Sequence, residues 1–278
     1  MTTIRIDARG PFHHEAALAM LTAHAVPGAE EIDGTSYRRA LRVGEERVVA
    51  TIDLDAGGVS VSVPAALDDV DALTLLVERW FDLDTDSAVV DRALARDPLT
   101  APLVALRPGL RLLGHPDEFE AVATAVLGQQ VSLAAARTFA GRLTDAFGGD
   151  AGHLRAFPDA ARLARADADG IRRAAGLTRA RARTLHEVAR RWAGGDVLRD
   201  LPAAEARRWL LAIPGIGPWT ADILLIRAKR HPDTFVPGDL VVRRALGLDG
   251  TAAAERARSW APYRSYALLH LWTDAAYL

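Results

Sequence analysis

Strand-like alternation is confined to the first 65 residues, and this constrains the fold more than any other feature of the chain. TIRIDA, YRRALRV, RVVATIDLD and VSVSVPA alternate apolar and polar residues with the period of two that a half-buried strand needs. Between the first and second of these runs lies EAALAMLTAHAV (residues 15–26), which has helical spacing. A helix is predicted over 67–80, with Asp68 and Asp69 placed to favour its N-terminus. From Asp84 onward no strand is expected. The spacing there predicts helices at 84–94, 117–128, 132–147, 158–166, 178–193, 203–212, 218–229, 239–247, 251–259 and 263–274, with Pro and Gly in most gaps. The expected class is therefore α+β, an N-terminal antiparallel sheet with helices on one face followed by an all-α region. We divide the chain near its Gly/Pro-bearing stretch 107–116, into 1–110 and 111–278.

Half of the 278 residues are hydrophobic and 25% are charged, which supports packed cores and excludes a disordered chain. The absence of cysteine excludes disulfides, thiolate zinc sites, cysteine nucleophiles and cysteine-ligated iron–sulfur clusters. No apolar run approaches the ~18 residues of a membrane span, and MTTIRIDARG has no signal-peptide core, so a cytoplasmic protein without membrane contact is expected. The eight histidines show no metal-ligand spacing, and there is no Ser/His/Asp constellation or nucleotide-hydrolase loop. The net charge of −2 conceals an asymmetry. Residues 1–150 carry 13 Lys/Arg against 23 Asp/Glu, whereas 151–278 carry 21 against 13. A polyanion is drawn to the second half, and the acidic first half is expected to be mainly structural. Arg172, Arg173, Arg179, Arg181, Arg183, Arg190 and Arg191 form either a phosphate-facing stripe or a solvated helical face.

The most informative stretch is Leu210-Leu-Ala-Ile-Pro-Gly-Ile-Gly-Pro-Trp-Thr-Ala-Asp-Ile-Leu225. A helix runs into Pro214-Gly215-Ile216-Gly217, and a second begins at Pro218. Two glycines around one apolar residue permit a tight reversal, with Ile216 filling the gap between the helices. Backbone amides at the start of the second helix are left to face an anionic phosphate. This is a helix-hairpin-helix pattern spanning 203–229, a binder of the nucleic-acid backbone. Further on, the loop 231–239 ends in Val236-Pro-Gly-Asp239 and opens an apolar helix, so Asp239 is a helix cap or a functional carboxylate.

Taken together, the hairpin and the Pro/Gly loop ending in Asp resemble the helix-hairpin-helix DNA glycosylase superfamily. Within it the chain is similar over nearly its whole length to the DNA-3-methyladenine glycosylase II family, through Phe119-Glu120, Val126-Leu-Gly-Gln-Gln-Val-Ser132, the hairpin, Val236-Pro-Gly-Asp239 and Tyr263-Arg-Ser-Tyr-Ala-Leu-Leu-His-Leu-Trp272. That resemblance implies an N-terminal sheet like half of a TATA-binding protein. It also implies a monofunctional glycosylase that flips alkylated purines, such as 3-methyladenine and 7-methylguanine, out of duplex DNA and hydrolyses the N-glycosidic bond in base excision repair. Asp239 is then the catalytic carboxylate, which stabilises the oxocarbenium sugar or activates water. Trp219 and Trp272 match aromatic positions of the base pocket. Met20, Ile223 and Leu240 stand where aromatic residues are expected. Gln130 matches the residue that wedges into the gap left by the flipped nucleotide. Pro214, Gly215, Ile216, Gly217, Thr220, Arg243 and Arg244 are the expected DNA contacts. Backbone carbonyls of Leu211, Ile213 and Ile216 match the ligands of a monovalent cation, Na+ or K+, at the hairpin when DNA is bound; no other cofactor is implied.

Bifunctional relatives place a lysine just after the hairpin, where this chain has Trp219. Its only lysine, Lys229, lies some ten residues further on, or ~15 Å along the helix. The expected partner is duplex DNA with alkylated bases, met by a monomer in the bacterial cytoplasm and nucleoid. Two other readings stand beside this one: a helix-hairpin-helix DNA-binding protein without useful catalysis, and a glycosylase for another lesion such as hypoxanthine or an etheno base.

Overall fold

Alternating residues build a sheet of five strands: β1 (Thr2–Asp7), β2 (Glu30–Asp33), β3 (Ser36–Val43), β4 (Glu46–Asp55) and β5 (Gly58–Val63). The computed structural model describes residues 1–278 except 45, 66, 196, 277 and 278. The strand order is β1-β5-β4-β3-β2, with every pair antiparallel. Helices α1 (His14–His24) and α2 (Val70–Phe81) cover it, packing Met20, Leu21, Leu73, Val77 and Phe81 against Ile6, Leu41, Ile52 and Val61. Asp69 caps α2 by accepting the N–H of Ala72 at 2.8 Å. The strand β2 was not expected. It is Glu-Glu-Ile-Asp at the sheet edge, paired only with β3, and its charges hide the alternation while discouraging further pairing.

The rest of the chain is largely helical: α3 (Ser87–Leu94), α4 (Ala101–Leu106), α5 (Glu118–Leu127), α6 (Leu133–Phe147), α7 (Ala160–Arg165), α8 (Ala168–Ala175), α9 (Arg179–Ala193), α10 (Ala203–Leu211), α11 (Pro218–Arg227), α12 (Leu240–Leu246), α13 (Gly250–Arg256) and α14 (Arg264–Ala276). The expectation that no strand follows Asp84 is corrected by a two-stranded hairpin, β6 (Gly149–Ala151) and β7 (Leu154–Ala156). Strands of three residues are too short to display a period, and α4 and α8, which were also missed, are only six and eight residues long. Among the described residues no helix is long and apolar enough to cross a membrane.

The helices form two cores. Val122, Leu127, Leu185, Leu210, Ile213 and Leu224 belong to one, built mainly from α5 to α11. In the other, Val90, Leu94 and Val104 pack with Val242, Trp260 and Leu268, so α3 and α4 share a core with the last helices of the chain. Ion pairs seal the seams between these units. Arg39 on β3 reaches Glu30 at 3.1 Å and Glu120 on α5 at 2.6 Å, with all three side chains almost wholly buried. Burial raises the Glu120 carboxyl above its ordinary value, against the pull of the adjacent guanidinium. Removing one partner of such a pair costs about 3–5 kcal/mol, because the other charge is left buried alone. Arg230 similarly joins Asp82 and Asp84, at 2.6 and 2.9 Å, while the Tyr266 hydroxyl donates to Asp82 at 2.7 Å.

Candidate active site

The hairpin folds as its sequence requires. Helix α10 ends at Leu211, the chain reverses through 212–217, and α11 starts at Pro218, whose missing N–H is no loss in a first turn. Of the two glycines only Gly215 is demanded. Its φ is +93°, and a Cβ there would lie 2.0 Å from Thr184 Oγ1; at Gly217 a Cβ would meet nothing within 4 Å. Ile216 is buried between the helices, and Asp222 of α11 takes a two-pronged bond from Arg207 of α10 at 2.6 and 3.3 Å. Pro214 and Gly215 stay exposed at the tip.

From α11 the chain passes through 231–239, a loop stapled to the start of α14. The Ser265 hydroxyl bridges the carbonyls of His231 and Thr234, and Arg264 grips Asp233 at 2.7 and 2.8 Å. His231 closes the loop by pairing its Nδ1 with the Thr234 hydroxyl at 2.9 Å, which gives this histidine a structural task. The loop delivers Asp239 as the N-cap of α12. Oδ1 accepts the N–H groups of Val241 and Val242 at 3.0 and 3.2 Å and the Trp272 indole N–H at 3.1 Å. Oδ2 accepts the Trp219 indole N–H, also at 3.1 Å. Capping and function are therefore not alternatives for this residue: one oxygen caps the helix, and the other is held toward a cavity by a single indole.

That cavity has a volume of about 340 Å³, within the ~300–1,000 Å³ usual for small-ligand pockets. Trp219, Trp272, Met20 and Ile223 line it with Asp239, as expected. Leu240 does not line it and corrects the expectation. It is 55% exposed, and Val241, the next residue, lines the cavity instead. The acidic first half is also more than structural. Its α1 and the residues that follow contribute Met20, His24 and Val26 to the cavity.

Four further residues that the sequence did not single out line the same cavity: His24, His115, Arg137 and Arg227. Burial, together with Arg227 and Arg137, drives His24 down to about 3, and burial beside Arg39 and Arg227 holds His115 far below its ordinary range. Both imidazoles are neutral near pH 7, so the charge among these four comes from the two guanidiniums. Arg137 is fixed by donating to the Ala25 carbonyl at 2.8 Å, and Arg227 lies 3.5 Å from the Met20 sulfur.

Beside the cavity, the turn between α5 and α6 presents Gln130. It is exposed, and its φ of +54° is a left-handed conformation uncommon for glutamine. Its neighbour Gln129 holds the turn in place: its side-chain amide donates to the Gly215 carbonyl at 2.9 Å and to Thr220 Oγ1 at 3.1 Å. Thr220 is consequently a buried brace between this turn and α11. Arg243 and Arg244 are exposed on α12, outside the cavity.

Two family models match the chain: the AlkA N-terminal domain over residues 3–117, and the HhH-GPD superfamily base excision DNA repair protein over 123–258. DNA-3-methyladenine glycosylase 2 of Escherichia coli (strain K12) is 35% identical over 271 residues, which cover 94% of each chain. The chain belongs to the AlkA family of HhH-GPD base excision repair proteins. A Mycobacterium tuberculosis protein named "Probable bifunctional transcriptional activator/DNA repair enzyme AlkA" is 36% identical over 98% of this chain, which spans only 56% of that relative's length. The solved 3-methyladenine DNA-glycosylase from Archaeoglobus fulgidus has the same fold, with a TM-score of 0.86 over 98% of both chains at 22% identity. Against that AlkA fold, Lys229 stands apart from the cavity. Its Nζ donates to the carbonyls of Leu198 and Arg199 at 3.0 and 2.6 Å, tying the end of α11 to the preceding loop.

Proposed function

We propose that this AlkA-family protein is a monofunctional DNA glycosylase that releases alkylated purines from duplex DNA, with Asp239 as its catalytic carboxylate. The observation that carries this reading is the pairing of Asp239 with two indoles on one wall of the cavity. A base flipped into the cavity would bring its C1′ near Oδ2. The C1′–N bond breaks with its electron pair leaving on the base, and the carboxylate stabilises the positive charge that develops on the sugar. Water then adds to C1′ and loses a proton. A cationic alkylated base leaves readily and also gains from the indole faces of Trp219 and Trp272, by about 0.5–2 kcal/mol.

The hairpin tip, Gln130, Arg243 and Arg244 would meet the DNA, with Gln130 filling the vacated stack. The carbonyls of Leu211, Ile213 and Ile216 would hold a Na+ or K+ ion against a phosphate. The Ile213 carbonyl already accepts the Ile216 N–H at 3.0 Å and has a second lone pair for a cation. Lys229 is engaged elsewhere, so no Schiff base is formed, and borohydride would trap no adduct on damaged DNA. We place this activity in a monomer acting on chromosomal DNA in the bacterial cytoplasm.

The decisive experiment incubates the protein and Asp239→Asn with methylated duplex DNA and measures free bases by chromatography. Release of 3-methyladenine by the unmodified protein alone supports the reading; DNA binding without release by either overturns it. One observation favours a second lesion class. The Arg137 guanidinium in the lining disfavours a cationic base relative to a neutral one, so hypoxanthine is a competing substrate.

A further inference from the structure

The arginine stripe of α8 and α9 is two different surfaces. Toward the end of α9, Arg190 and Arg191 both pair with Glu187, at 3.3 and 3.1 Å, so both are engaged by one carboxylate. At the corner between α8 and α9 the balance differs. An open concavity of about 720 Å³ is lined by Arg172, Arg173, Arg179 and Arg183 with Asp167 and Asp169. Both carboxylates are already engaged: Asp169 pairs with Arg172 at 2.9 Å, and Asp167 caps α8 through the Gly170 N–H at 2.6 Å. Among the described residues Arg173, Arg179 and Arg183 form no ion pair, and all three are exposed. Like charges gathered around one concavity repel each other, and an anion seated there relieves that repulsion.

The corner is also fixed to the elements that would meet DNA. Arg181, in the first turn of α9, donates to the Gln129 carbonyl beside the exposed Gln130. Thr184, one residue after Arg183, donates to the Pro214 carbonyl at 2.9 Å and lies against Gly215 at the hairpin tip. Arg179 and Arg183 are one turn apart on the exposed side of this same helix. We propose that Arg173, Arg179 and Arg183 form a second DNA-backbone site, continuous with the hairpin, that grips duplex phosphates away from the flipped nucleotide. The proposal rests on duplex DNA being the substrate, but not on base release.

The test is equilibrium binding of an undamaged duplex over a series of salt concentrations. Each phosphate contact adds about 0.9 to the slope of log affinity against log salt. The variant Arg173→Gln/Arg179→Gln/Arg183→Gln should flatten that slope by about 1–3. Replacement of the same three residues by lysine should preserve most of it, since an ammonium still binds phosphate as a point charge. A charge-matched control, Arg92→Gln/Arg96→Gln/Arg190→Gln, should leave the slope within about half a unit of the unmodified protein. An unchanged slope in the first variant, or an equal loss in the control, overturns the proposal while leaving the glycosylase reading intact. If the unmodified protein does not bind duplex DNA at all, both fall. If it binds as expected but releases no base, only the glycosylase reading falls.

Discussion

Two parts of the cavity lining are built in different ways. The Asp239 wall is assembled from helix starts and a stapled loop: a cap residue, two backbone N–H groups and an indole from each of two helices. The rest of the lining includes His24 from α1, His115 from the loop before α5, Arg137 from α6 and Arg227 from the far end of α11. The first fixes one oxygen atom, which is what bond cleavage needs. The second sets a potential over a surface, which charge from any direction can do. Chemistry in one part thus depends on local backbone geometry, and selectivity in the other depends on how distant elements pack.

Substitutions in each part test this division. The largest effect is expected from Asp239→Asn, which should cut base release by about 10²–10³-fold, the scale of losing one group that stabilises transition-state charge. Thermal unfolding should hardly move, because asparagine caps a helix as well as aspartate does; a large drop in melting temperature would show that the residue serves folding first. Elsewhere in the lining, Arg137→Met should raise the release of cationic relative to neutral bases by roughly tenfold, ~1.4 kcal/mol, through loss of a repelling charge. Competition between 3-methyladenine and hypoxanthine duplexes measures it, and an unchanged ratio would mean that this part of the lining does not read charge.

The two indoles should differ as well. Trp219→Phe strips Oδ2 of its donor, whereas Trp272→Phe leaves Oδ1 two backbone donors. The first should slow release about 2–10-fold more than the second, as the net worth of one hydrogen bond implies. Equal effects would point to ring stacking instead. The smallest effect is on stability. His24 and His115 titrate below their ordinary value in the folded protein, so the unfolded chain binds more protons below about pH 6.5. Folding stability should therefore fall as pH drops below that point, continuing toward about pH 3 for His24. The urea midpoint of His24→Gln should fall less over the same acid range; parallel curves would show that His24 charges freely in the native state.

Much of the molecule is legible in the sequence because its signals are local. Alternation in YRRALRV and RVVATIDLD marks β3 and β4, and Pro214-Gly215 marks a reversal that only glycine tolerates beside Thr184. Val236-Pro-Gly-Asp239 places its carboxylate because the last residue of a short loop is bound to cap the helix it opens. β6 and β7 escape because three residues are too few to show a period, and β2 because three of its four residues are acidic. Leu240 was misplaced by one position, a slip that only the direction of a side chain on a folded helix can reveal.

By itself, then, the sequence determined the class of fold, the hairpin and the carboxylate, all of them set by residues adjacent along the chain. Only the tertiary structure decided that α1 of the sheet-bearing part would wall the cavity, that Arg137 and Arg227 would line it with Asp239, and that Arg173, Arg179 and Arg183 would gather at one concavity without an ion pair among the described residues. Those outcomes depend on which distant surfaces bury one another, and Arg190 and Arg191, both ion-paired to Glu187 on the same helix, show that one residue type on one helix can end in either state.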